Sequence, residues 1–160
     1  MLGGVFDGNP APGTGDPQKL NGSGTRFNVR DGALFIGELQ YAVGQSRGGG
    51  ASPSSSGVLP GTYKLGIWYD NTRFADQREG TDGLSLADPA SNGMPRMRRG
   101  NFSVYAVADQ MVWRPSPDAA RSIGVFARVM GAPGDRNIVH FSANAAVVKA
   151  RSHVPITERS

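Results

Sequence analysis

The chain has 160 residues, with 23 Gly, 11 Pro and no Cys, 19% charged and 38% hydrophobic residues, and a net charge of +4. That length suffices for one domain with a core, but the Gly and Pro content describes strands joined by turn-rich loops and excludes a helical bundle. Without Cys there is no disulfide scaffold, thiol nucleophile or Cys-ligated metal, and the dispersed Lys and Arg, clustered only at Arg96, Arg98 and Arg99, read as solvated groups in preference to a nucleic-acid site.

Residues 2–6 read as the tail of a strand ending at Asp7-Gly8-Asn9-Pro10, a dense turn signal. A Gly-, Pro- and Asn-rich loop follows over 7–31. Residues 33–43 then alternate, with Ala33, Phe35, Gly37, Leu39, Tyr41 and Val43 on one side and Leu34, Ile36, Glu38 and Gln40 on the other. The stretch 44–61 has linker composition, and its triple glycine lacks the Lys-Ser/Thr of a phosphate loop. Alternation resumes over 62–70, where Tyr63, Leu65, Ile67 and Tyr69 oppose Lys64, Gly66, Trp68 and Asp70. Residues 71–100 are rich in charge, glycine and proline, which excludes a continuous strand and predicts a long functional loop.

A hairpin comes next, with strands at 102–114 and 121–130. In the second strand Ile123, Val125, Ala127 and Val129 form one face and Ser122, Gly124, Phe126, Arg128 and Met130 the other. In the first, Asp109 assigns the faces, because a carboxylate is costlier than the amide of Gln110 in apolar surroundings. A turn centred between Pro117 and Asp118 makes Asp109 and Arg128 diagonal neighbours on the polar face. The last strand is predicted at 138–148, with His140 on its polar face, and residues 149–160 read as a polar tail.

No apolar run approaches the ~20 residues of a membrane-spanning helix. The N-terminal MLGGVFDGNPAPG has no signal-peptide pattern, so a secretion signal is expected to have been removed or to lie outside this piece. Strands that each carry one charge-free face fit a soluble sandwich or a transmembrane β-barrel. Strand lengths near the ~9–11 residues of a tilted crossing, and a second face mixing Trp68, Tyr105, Trp113 and Phe126 with isolated charges, favour a wet, confined lumen.

Several segments in order carry a resemblance: 59–70 (LPGTYKLGIWYD), 73–78 (RFADQR), 83–89 (GLSLADP), 105–111 (YAVADQM) and 132–137 (APGDRN), with 4–10 (GVFDGNP) and 37–41 (GELQY) upstream. From Gly4 to Ala145 the chain resembles the carbohydrate-selective porins of the OprB type. The resemblance implies an all-β, antiparallel up-and-down sheet, part of an incomplete transmembrane β-barrel of about five to six strands. It further implies a bacterial outer-membrane location, passive selective diffusion of mono- or oligosaccharides, contact with lipid and lipopolysaccharide, and no cofactor, metal or nucleic acid. Because the chain ends without the terminal aromatic strand of those porins, it resembles an internal fragment, with the activity belonging to the parent barrel and the oligomeric state open.

A sugar pore needs charged and amide groups for hydroxyls beside aromatic faces for C–H surfaces. The candidates are Glu38, Lys64, Asp70, Asp109, Arg128 and His140, with Trp68 and Tyr105 as stacking surfaces; Asp109 and Arg128 alternatively neutralise each other on the wall. Arg73, Asp76, Arg78, Arg96, Arg98 and Arg99 are candidates for a loop that narrows the pore, and Trp113 for an interfacial girdle. Catalysis is not expected: His140 and His153 are the only histidines, and neither a ligand spacing, a nucleophile elbow nor an acid–base carboxylate pair appears. The alternatives are a soluble β-sandwich that binds carbohydrate or serves adhesion, and a truncated porin without activity of its own.

Overall fold

A computed structural model of the chain describes residues 1–11, 13, 16–25, 27, 29–44, 57–116 and 121–151. Most of the predicted connection 44–61, the turn at Pro117 and Asp118, and the tail from 152 lie outside the described residues. The elements are β1 (Leu2–Asp7), α1 (Pro17–Leu20), β2 (Ala33–Val43), β3 (Gly61–Gly80), β4 (Pro95–Trp113), β5 (Arg121–Gly131) and β6 (Phe141–Arg151). The strands form one antiparallel sheet in the order β1-β2-β3-β4-β5-β6, so neighbours in the sheet are neighbours in the sequence. β1 pairs with β2 from Leu2 opposite Glu38 to Asp7 opposite Ala33. Helix α1 is a single turn, its Lys19 and Leu20 amides donating to the Asp16 carbonyl at 2.9 and 3.0 Å.

Three expectations are corrected. The predicted loop 71–100 is mostly strand: β3 continues to Gly80, β4 begins at Pro95, and Thr81 to Met94 remain as the connection. Charges that read locally as loop signals pair across the two strands, Arg96 with Glu79 and Arg98 with Asp76 and Glu79, each at 2.8 Å, which is how opposite charges support a sheet. Secondly, β6 begins at Phe141 and runs to Arg151, so Lys149 belongs to a strand. Thirdly, His140 precedes that strand, exposed, with its carbonyl accepting from the Ala132 amide at 2.9 Å in the β5–β6 connection.

The elements divide into two compact units, one of Met1–Leu39, Gly66–Tyr105 and Met130–Ser142, the other of Gln40–Leu65, Ala106–Val129 and Ala143–Ser160. In the first unit one face carries exposed large apolar side chains: Phe35 and Leu39 on β2, Ile67 and Tyr69 on β3, Phe102 and Val104 on β4, and Phe141 on β6. Phe35 and Tyr69 stack on that face with centroids 6.5 Å apart, inside the favourable range for aromatic pairs. Among the described residues the buried side chains are polar, with Asp76 2%, Asn101 3% and Ser103 0% exposed, beside the small apolar residue Ala33.

The second unit repeats the inversion. Tyr41, Tyr63, Leu65, Val112, Val125, Val129 and Val147 are exposed, while Lys64, Met111, Ser122 and Gly124 are partly covered. A soluble sandwich buries its alternating apolar face. Here, among the described residues, most large side chains of that face are exposed.

Candidate functional site

In the first unit a hydrogen-bonded crossbar lies on the polar face. Glu38, Gly66 and Tyr105 stand on β2, β3 and β4, three adjacent strands. The Tyr105 hydroxyl donates to Glu38 Oε2 at 2.7 Å. Its ring passes over Gly66, which is buried; a Cβ there would occupy the place of Tyr105 Cζ. Trp68 and Asp70 follow on the same side of β3, both partly covered. Asp70 accepts the Thr72 amide at 2.8 Å, which fixes the carboxylate against its own strand.

Beyond them an ion-pair network ties β3, β4 and the β5–β6 connection. Asp76 Oδ1 accepts the amides of Arg78 and Glu79 at 2.8 and 3.0 Å, and its Oδ2 accepts from Arg98 Nε at 2.8 Å. Arg98 also reaches Glu79 at 2.8 Å and Asp135 at 3.7 Å. Arg136 grips the neighbouring Asp135 through Nε and Nη2 at 2.9 and 3.0 Å and donates to the Gly100 carbonyl. That bidentate guanidinium holds the Asp135 carboxyl below the ordinary carboxylate range. Gly100 takes a positive φ of 78°, a backbone state that favours glycine. Asn101 and Asn137 exchange side-chain bonds, both at 2.9 Å.

The Thr81–Met94 connection is braced by Asp82, whose carboxylate accepts the amides of Asn92 at 2.7 Å and Leu84 at 3.0 Å. Those amides, Asn92 first, lower its pKa. The loop is thus braced largely from within, with the Leu86 amide donating to the Arg78 carbonyl at 2.7 Å, and the predicted arginines all stand on strands.

A polar cavity of about 630 Å³ also belongs to this unit, lined by Asn9, Arg30, Asp31, Asn71, Thr72, Arg73 and Arg99 among others. Its size suits a small solute. Arg73 and Arg99 thus converge on one cavity, whereas Arg96 and Arg98 are engaged with carboxylates, and Arg78, exposed on β3, lies near Gly134. Asn71 Oδ1 accepts the Ala33 amide at 2.8 Å, fixing the start of β2 beside the cavity.

The second unit holds Lys64, partly covered on β3, and Asp109 and Arg128, exposed on β4 and β5. Among the described residues no ion pair joins Asp109 to Arg128, so the alternative in which they neutralise each other gains no direct contact. Asp109 instead borders a cavity of about 340 Å³ with Thr62, Met111, Ser122, Gly124 and Val148. On the opposite side of β4, Gln110 covers Gly61. Its amide nitrogen faces the carbonyls of Leu59, Pro60 and Met111 at 3.1, 3.2 and 2.8 Å, and its oxygen accepts from the Tyr63 hydroxyl at 2.8 Å. Trp113 closes β4, half exposed.

Sequence reasoning missed Gly66, Glu79, Asp135, Arg136 and the cavity residues Arg30, Asn71 and Thr72. The two-residue spacing of Arg96 and Arg98, which puts both on one face of an extended chain, was the available signal for the charged ribbon.

Comparison with known proteins places this geometry. Residues 1–152 match the profile of the carbohydrate-selective porin, OprB family. Porin B of Pseudomonas aeruginosa is 30% identical over 129 residues, 79% of this chain and 24% of Porin B. A solved structure described as the high-pH structure of Pseudomonas putida OprB matches with a TM-score of 0.66 at 21% identity, covering 92% of this chain and 31% of that one. The chain therefore spans between about a quarter and a third of the length of these relatives.

Proposed function

The chain belongs to the OprB family of carbohydrate-selective porins, and from that premise we propose that it contributes strands to the wall of a water-filled β-barrel in a bacterial outer membrane, through which sugars diffuse passively. The observation that carries the reading is the inverted alternation: Leu65 and Ile67 are 59% and 50% exposed, while the carboxylate-bearing Asp76 is buried. Burial of apolar surface is the main source of folding free energy, so a chain built this way needs lipid on its apolar side. The polar side then faces water, and the pore works by diffusion, without catalysis.

In this reading Glu38, Lys64, Trp68, Asp70, Tyr105, Asp109 and Arg128 line the lumen. Arg73 and Arg99, with Asn71 and Thr72, offer hydroxyl-binding donors and acceptors at the larger cavity, while Arg96 and Arg98 hold the wall together. Arg78 is an exposed donor beside that network, and His140 lies at a rim. The apolar face meets lipid and lipopolysaccharide.

The test is to reconstitute the full-length gene product in planar bilayers and titrate sugars of graded size. Discrete channels whose ion current falls as sugar is added support the reading. A detergent-independent, monodisperse protein that gives no channels overturns it and leaves a soluble binding module.

A further inference from the structure

The glycine beneath Tyr105 has a consequence for what can pass. β2 and β4 are two strand spacings apart, roughly 9–10 Å, and Tyr105 and Glu38 bridge that distance through a hydrogen bond of 2.7 Å. The bridge is possible only because β3 carries no side chain where the ring crosses. The immediate neighbours on that side of β3, Lys64 and Trp68, are both large, so Gly66 is the one gap between them. We infer that Gly66 is a size-determining position of the pore: by leaving room for Tyr105 to lie flat against β3, it holds the ring as part of the wall and keeps it from projecting across the lumen. The inference rests on the reading of this face as a pore wall.

The atoms that a Cβ at residue 66 would meet are Cζ, Oη and Cε1 of Tyr105, the far end of a side chain and no part of the backbone. Substitution there evicts the ring and spares the strand. Below the ring is backbone, so the only direction left is away from the sheet, into the space that solute crosses. The same movement breaks the bond to Glu38. Gly66 and Tyr105 thus act on passage through each other, as positioning residues for the width of the wall.

The experiment compares single-channel conductance and sugar flux for the full-length wild type, Gly66→Ala, and the double variant Gly66→Ala/Tyr105→Ala in planar bilayers and liposomes. Gly66→Ala should lower conductance by about twofold and slow a disaccharide more than a monosaccharide, since selection in such pores follows diameter. The double variant should return conductance to the wild-type value or above it, because the evicted ring is gone. The inference is overturned if Gly66→Ala conducts and selects like the wild type, or if the double variant stays as low as the single one, which would trace the loss to the sheet itself. Absence of channels in the wild type would overturn the pore reading, a result distinct from either.

Discussion

Replacing Ile67 by Arg puts a charge on the face assigned to lipid, and the structure sets the size of the effect. Ile67 is half exposed and shares its face with the exposed Leu65. It is therefore read as lying in the apolar band. Full burial of an Ile side chain is worth ~1.5–3 kcal/mol, so the half that lipid would cover is worth about 1. Arg at mid-depth on the lipid face of a barrel adds ~2–4 kcal/mol. The sum, ~3–5 kcal/mol, is between about a hundredfold and a few thousandfold in the folding equilibrium, at tenfold per 1.4 kcal/mol. The next residue, Trp68, points to the other face, where Arg would meet water and cost about 1 kcal/mol of lost packing. Urea titration of the full-length protein folding into phosphatidylcholine vesicles measures both. Equal costs for Ile67→Arg and Trp68→Arg, or a cost below about 1 kcal/mol for Ile67→Arg, would refute the assignment of faces.

Gln110→Leu removes up to three hydrogen bonds, two through its amide protons and one accepted from Tyr63, and at ~0.5–1.5 kcal/mol each should destabilise by about 2–3 kcal/mol. Tyr63→Phe should cost about 1 kcal/mol, with a double-mutant coupling near that value in the same titration. Arg98→Gln should release the β5–β6 connection, raising amide exchange of Gln77, whose N–H is held by the Asp135 carbonyl at 2.6 Å, by about tenfold. The pKa values of Asp82 and Asp135 are lowered by folding, so the folded protein binds fewer protons there than the unfolded one. Their contribution to stability is complete above the unfolded carboxylate value of ~3.9 and is lost as pH falls below it through the folded values. Protease cleavage within residues 81–94 should accordingly rise below about pH 4, and unchanged resistance at pH 3 would count against the Asp82 brace.

Legibility in the sequence followed the kind of information each feature needs. β2 and β5 are spelled out by alternation that no charge interrupts on the apolar side, and Asp109 against Gln110 is the local signal that separates the two faces of β4. The extended ends of β3 and β4 were not legible, because what stabilises Asp76 and Glu79 in a strand is Arg98, 19 to 22 positions away. Local composition records the charges and not their pairing. Arg73 and Arg99 read as candidates for a pore-narrowing loop, and not as strand residues, for the same reason. The gap at Gly66 looks like any strand glycine until the ring of Tyr105 is laid over it, and the pairing of Asp109 with Arg128 rested on a turn whose centre lies outside the described residues.

The sheet order also bears on how the chain assembles. Every strand pairs with its predecessor, so no step must wait for distant parts of the chain, and the order of closure is set by the intervening lengths. Seven residues, 114–120, separate β4 from β5, and twenty-five, 8–32, separate β1 from β2. With closure entropy growing as (3/2)RT ln n, that difference favours the β4–β5 pair by about 1 kcal/mol. By this measure the β4–β5 pair is the least costly closure in the sheet and the β1–β2 pair, made through the longest connection, the most costly.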